Sequence, residues 1–257
     1  MCKGVLKTED PITKASLLFT FVFKLPESYT DVRSLRSLLT DASPNHSLSA
    51  RFEVASQIAR SVCNVRSFGF VHKNLSPETI LVLGNQNTSI GAAYLVGFDR
   101  FRTTQGNTAR LGDSNWERNL YRHPRRQGAS PEDIYIMQHD IYSLGICLLE
   151  LGLWQSFVEY RALDGLPLRS AALRLQDGTP EMQYPTALKD HLVALARTAL
   201  PQRMGTKYTE VVQTCLTCLD RENVDFGDER EFQDADGILV GVRYIEKVLM
   251  QLSLISV

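Results

Sequence analysis

Phe70-Val71-His72-Lys73-Asn74-Leu75-Ser76-Pro77-Glu78-Thr79-Ile80-Leu81-Val82 is the stretch from which the rest of the chain can be placed. It runs from a histidine through a polar loop into an apolar segment. Ile80–Leu83 reads as a strand, 84–91 as a polar turn and Ala93–Phe98 as a second strand, so the loop opens a hairpin. Before it, residues 48–67 carry Phe52, Ala55, Ile58, Ala59, Val62 and Val65 at helical spacing on one face, and Gly69 ends the run.

Further upstream, Leu17–Phe23 is a short apolar run rich in aromatics and predicts a buried strand. Lys24–Glu27 is a turn, because Pro26 pushes its predecessor toward extended backbone. Val32–Leu39 is a short helix candidate, and Ser43–Ser47 is a polar break rich in capping residues. Downstream, residues 100–128 are polar, arginine-rich and irregular. Asp140–Leu151 is apolar on more than one face, the mark of a buried helix. Leu188–Leu200 and Tyr208–Leu219 are amphipathic helices. Residues 223–237 form an acidic loop. Val242–Leu254 closes the chain as a helix with Tyr244, Ile245, Val248, Leu249 and Leu252 on its apolar side. The fold class is α+β, mainly α.

With 257 residues, 44% hydrophobic and 22% charged, the composition is that of a globular protein with a sizeable core. A net charge of −1 gives no drive toward nucleic acid or an anionic membrane. No apolar run approaches the roughly 20 residues that span a bilayer. Acidic residues enter early in the N-terminal stretch, which argues against a secretory signal. Five thinly spread cysteines suit a reducing, cytoplasmic compartment. Cys215-Leu216-Thr217-Cys218 has metal or redox spacing. With no second Cys/His pair and a helical setting, it reads as a buried structural pair.

Residues 70–82 resemble the catalytic loop of a protein kinase, H-R-D-L-K-P-E-N-I-L-V. Other motifs follow in the kinase order: Leu95-Val96-Gly97-Phe98-Asp99 where D-F-G stands, and Leu120-Tyr121-Arg122-His123-Pro124-Arg125 like Y-R-A-P-E. Asp140-Ile141-Tyr142-Ser143-Leu144-Gly145 follows, like D-x-[WY]-S-x-G. The resemblance covers about residues 15–220 and implies a kinase-like C-lobe over 29–257. Residues 1–28 are then an N-lobe remnant and hinge. The phrases Gly69–Asn74, Pro77–Leu81, Asp140–Gly145 and Gly241–Leu249 are also similar to fungal kinase-like domains associated with HeLo-type or prion-inhibition helical domains.

Against that pattern the chemistry is depleted. The general-base position holds Asn74, whose amide accepts no proton near neutral pH. Ser76 replaces the loop lysine, Thr79 the metal-binding asparagine and Gly97 the metal-binding aspartate. Magnesium favours hard charged oxygens. Asp99 is the one alternative ligand, displaced by two residues at about 3.3 Å each. No Gly-rich loop or Val-Ala-x-Lys strand precedes the hinge, so the N-lobe is either absent or encoded upstream.

The resemblance gives His72 an architectural role and gives Asp140 that of accepting hydrogen bonds from the loop backbone. Arg118, Arg122, Arg125 and Arg126 form a basic cluster, read either as a solvated surface or as a surface for an acidic or phosphorylated partner. Arg125 also reverses the charge of the A-P-E glutamate, so the usual ion pair there is absent or reversed. The implied function is a catalytically inactive pseudokinase with protein partners and no cofactor, acting as a scaffold in fungal signalling. The alternative is an active Ser/Thr-type kinase that binds ATP and Mg through Asp99 or a missing N-lobe.

Overall fold

The computed structural model describes residues 2–9, 16–41, 46–85, 90–98, 102–103, 114–128, 131, 133–175, 184–226 and 238–255. The chain begins with an antiparallel ribbon of β1 (Cys2–Glu9) and β2 (Ser16–Phe23). The aromatic run predicted to be a buried strand is a strand, but its second half is exposed, with Phe21 60% and Phe23 66% exposed. Among the described residues its sheet has two strands, β1 and β2. After β2 the turn at Pro26 is closed by the Tyr29 N–H donating to the Pro26 carbonyl (3.0 Å).

The helix expected over 32–39 divides into β3 (Asp31–Ser34) and α1 (Leu35–Thr40). Ser34 decides the boundary: its backbone is extended and its hydroxyl accepts from the Ser37 N–H, an N-cap. Next comes α2 (Leu48–Ser67), capped by Ser47 and burying Phe52, Val54, Ala55, Ile58, Ala59 and Val62. A short strand β4 (Phe70–Val71) follows, then the polar loop with one 3₁₀ turn at Pro77–Thr79. The expected hairpin forms as β5 (Ile80–Gly84) and β6 (Ala93–Leu95), with β3 on the other side of β5 in a three-stranded sheet. β7 (Arg102–Thr103) pairs with β4.

Within the stretch expected to be irregular, α3 (Trp116–Leu120) is helical, capped by Asn115, and a 3₁₀ turn spans Pro124–Arg126. The central helix α4 (Met137–Leu153) starts three residues before Asp140, and all 17 of its residues are buried. Each fully buried leucine or isoleucine in it contributes roughly 1.5–3 kcal/mol. Gly145 lets the helical run that ends at Leu216 approach: a Cβ there would lie 2.9 Å from the Cys215 Cβ and 3.1 Å from the Leu216 nitrogen.

A small hairpin, β8 (Val158–Tyr160) with β9 (Pro167–Arg169), is a feature the sequence reading did not anticipate. The two helices expected over 188–219 form one run, α5 (Tyr184–Leu216), broken at Gly205 (φ 79°, ψ 169°). α6 (Ile238–Tyr244), a π turn (Ile245–Leu249) and α7 (Met250–Ser253) make the closing helix. On it Tyr244, Val248 and Leu252 are buried, whereas Ile245, expected on that face, is exposed. The Tyr244 hydroxyl donates to the Ala59 carbonyl (2.8 Å), fastening this helix to α2.

The mainly helical α+β class is therefore the observed one. Cys215 and Cys218 are buried free thiols, both pushed up by burial, and the Cys218 thiol donates to the Gln138 carbonyl. Among the described residues no helix is long and apolar enough to cross a membrane.

Candidate functional site

The loop 72–79 is held from below by one carboxylate. Asp140, in the first turn of α4, accepts from the His72 N–H (2.7 Å), the Lys73 N–H (3.0 Å) and the Tyr135 hydroxyl (2.6 Å). These bonds clamp Lys73 at φ 68°, a left-handed conformation unfavourable for a residue with a Cβ. His72 is buried. Its Nε2 lies 2.9 Å from the Val96 carbonyl, its Nδ1 accepts from the Asn74 N–H (3.3 Å), and its ring packs edge-on against Phe98. Those two contacts suit an imidazole with a proton on Nε2 and hold the ring in place against the loop.

Asn74, Thr79 and Gly97 come together although the sequence separates them. A Cβ built on Gly97 would stand 2.6 Å from the Thr79 methyl and 3.4 Å from the Asn74 amide nitrogen. The Thr79 hydroxyl is engaged within the loop: it donates toward the Asn74 and Ser76 carbonyls and accepts from the Ser76 N–H. Its methyl fills the space a side chain at 97 would need, and Gly97 itself has φ 82°. This corner therefore has three neutral residues and no room for a carboxylate at 97 without rearrangement. Asp99 lies outside the described residues. Among those described, no group of three or more His, Cys, Asp or Glu side chains is placed to hold a metal ion.

A second centre lies beneath the loop, and the sequence reading missed it. Buried Arg36 of α1 donates to Glu78 (2.9 Å), to Glu150 of α4 (2.6 Å), to Ser156 (2.6 Å) and to the Tyr121 hydroxyl. Tyr121 in turn donates to Glu150 (2.8 Å), which also accepts from the Phe157 N–H (2.6 Å). Burial opposes the charge of Arg36, yet Glu150, Tyr121 and Glu78 raise its pKa above the ordinary value. Burial also opposes ionisation of Glu78, but Arg36 outweighs it and the carboxyl titrates below the usual range. One signal was available: Glu150 interrupts Leu148-Leu149-Glu150-Leu151 in a helix expected to be buried, and a buried carboxylate requires a partner.

The arginine cluster is not one surface. Arg126 is buried, donates to the Asp133 carbonyl and stacks on Tyr135 (5.6 Å), so it is removed from any partner face. Arg125 points to Asp133 (3.9 Å), a local ion pair of reversed sense. Arg118 and Arg122 instead line a cavity of about 280 Å³, together with Lys73, Asn74 and Ser76. Glu78 and Glu117 are its acidic members, and Tyr121 and Tyr160 stand at its wall.

No family model matches the chain. Over 191 residues, 74% of its length, the chain is 24% identical to the cyclic GMP-binding protein C of Dictyostelium discoideum. The matched stretch spans 6% of that much longer protein.

Proposed function

We propose that this chain is a pseudokinase: a kinase-like module without phosphoryl transfer that serves as a protein-binding scaffold in cytoplasmic signalling. The observation that carries the reading is the meeting of Asn74, Thr79 and Gly97 at one corner of the loop. Phosphoryl transfer depends on positioned charge, a carboxylate to orient the nucleophile and hard oxygens for magnesium. At that corner the residues offer an amide, an engaged hydroxyl and a hydrogen atom. The loop that presents them is nonetheless held by Asp140 and His72, so the architecture supports a surface.

The test is a thermal-shift titration of the full chain with ATP, ADP, GTP and cyclic GMP, with and without magnesium, beside an assay of phosphate transfer from labelled ATP. No magnesium-dependent shift and no transfer are expected. A magnesium-dependent shift abolished by Asp99→Ala would return the chain to the active kinases. Stabilisation by cyclic GMP alone would instead carry over the activity in the relative's name.

A further inference from the structure

We propose that Arg51 and Arg203, gathered at the C-terminal end of α4, form a docking site for an acidic segment of a partner protein, each guanidinium taking an oxyanion side chain. The site goes beyond the pseudokinase reading and is separate from the loop 72–79. Asp140, which clamps that loop, lies in the first turn of α4, about 20 Å of helix away from Leu153 at roughly 1.5 Å per residue.

Placement is the first argument. The Arg51 guanidinium stands 4.9 Å from the centre of the Trp154 ring, and Arg203 donates to the Leu153 carbonyl. Two adjacent residues at the end of α4 therefore hold both groups. Close packing brings the Arg203 turn of α5 there: a Cβ on Gly152 would lie 2.7 Å from the Leu200 side chain and 3.2 Å from that of Met204. Trp154 has φ 51°, a left-handed conformation that a helix end usually gives to glycine or asparagine. The His46 ring also packs on it, with centroids 4.5 Å apart. The stack under Arg51 is thus assembled before a partner arrives, which lowers the cost of binding.

Charge is the second. Among the described residues no carboxylate pairs with either guanidinium: Asp41 is held by Arg33 (2.8 Å) and Glu150 by Arg36 (2.6 Å). Arg51 also stands in the N-terminal turn of α2, which carries no acid. Burial, and after it the charge of Arg203, holds the Arg51 pKa below its ordinary value. The carbonyl end of α4 supplies about half a negative charge, against two full positive ones. The pair therefore favours an added anion.

The surroundings select its source. Arg51 and His46 already pack on the Trp154 ring, so it is not a platform for stacking nucleobases. Two arginines fall short of the basic cluster that recruits an anionic membrane, about four to eight cations. Leu48, one turn before Arg51 on the same face of α2, is 43% exposed and offers an apolar contact that a peptide can cover.

Fluorescence anisotropy tests the proposal with labelled hexaglutamate, hexaglutamine and oligothymidylate added to the full chain. Hexaglutamate should bind at least about tenfold more tightly than hexaglutamine and should weaken as salt rises. Arg51→Gln and Arg203→Gln should each lose roughly tenfold, as expected for a lost charge-assisted hydrogen bond. Arg203 is exposed, so its substitution should leave the melting temperature unchanged and keeps the test clear of folding. Arg197→Gln, exposed elsewhere on α5, should bind as wild type. In a Trp116→Phe variant Trp154 is the remaining tryptophan, and its emission should change as hexaglutamate binds.

Equal affinity for hexaglutamate and hexaglutamine overturns the proposal. So does a preference that both arginine substitutions leave intact, or tighter binding of oligothymidylate. Binding that leaves Trp154 emission unchanged places the acid elsewhere and overturns it too. Phosphate transfer from ATP would overturn the pseudokinase reading and leave this site standing, whereas loss of the hexaglutamate preference without transfer overturns this inference alone.

Discussion

Below the loop 72–79, Arg36 gathers Glu78, Glu150, Tyr121 and Ser156 into a charged network. At the corner by Gly97, the same loop places Asn74 and Thr79 together with no formal charge among the three. The two regions share one short segment and obey different constraints. A charge in the low-dielectric interior must be complete: removing one partner strands the other at a cost far above the value of the pair itself. At the corner Thr79 is buried and Asn74 and Gly97 are half-buried, and with no charge present there is none to be matched, so these residues can be neutral while the fold stands. The charged network belongs to folding, and the neutral corner is what the proposed function rests on.

Breaking the network should have the largest effect. Burial already pushes the Glu150 carboxyl up against the pull of Arg36; Arg36→Met leaves it buried without its cationic partner and should cost about 3–5 kcal/mol in urea unfolding. Adding Glu150→Gln to it should recover part of that loss. A cost no greater than that of an exposed arginine would show that the network is not structural.

Next comes the clamp between the two regions. Asp140→Ala strips the acceptor from the His72 and Lys73 N–H groups and from the Tyr135 hydroxyl, and should cost about 3 kcal/mol. It should also accelerate amide exchange at 72 and 73, which a purely local loss of packing would leave unchanged.

Acid sharpens the contrast through the histidines that back the segment 117–126. His123 is buried against Tyr142 and His139, and burial, with His139 next, pushes its pKa down to about 3. In the unfolded chain it titrates near 6.5. Between those values the unfolded chain holds the extra proton, so stability is present above pH 6.5 and is lost as pH falls toward 3. From pH 7 to pH 5 that amounts to about 2 kcal/mol. His139 is shifted in the same direction by burial, and Glu78, held low mainly by Arg36 against its burial, adds a loss at more acid pH. Urea midpoints at pH 7 and pH 5 measure the slope, and His123→Phe should flatten it.

The smallest effect belongs to the neutral corner. Gly97→Ala meets the Thr79 methyl and an unfavourable φ, and should cost about 1–2 kcal/mol. Thr79→Ser removes that methyl and should relieve part of the cost. If Gly97→Ala is silent alone, the corner is looser than its geometry states.

Much of this was legible in the chain because it is local. The apolar stripe of α2 and the all-round apolarity of α4 repeat within a few residues, and a helix needs only that periodicity to be recognised. Asn74, Thr79 and Gly97 are depleted by identity alone, whatever surrounds them. The boundary of α1 was misjudged because Ser34 had first to be seen as a cap. The second half of β2 was misjudged because apolar residues look the same in sequence whether they are covered or exposed.

What the sequence determined by itself, then, was the helical framework, the presence of the loop and the types of the residues on it. Tertiary structure alone decided that Arg36 reaches Glu150, 114 residues away, that Arg126 is buried while Arg118 and Arg122 face a cavity, and that Thr79 closes the space beside Gly97. Periodicity acts through bonds between near neighbours, whereas burial and ion pairing depend on which distant segments are packed together.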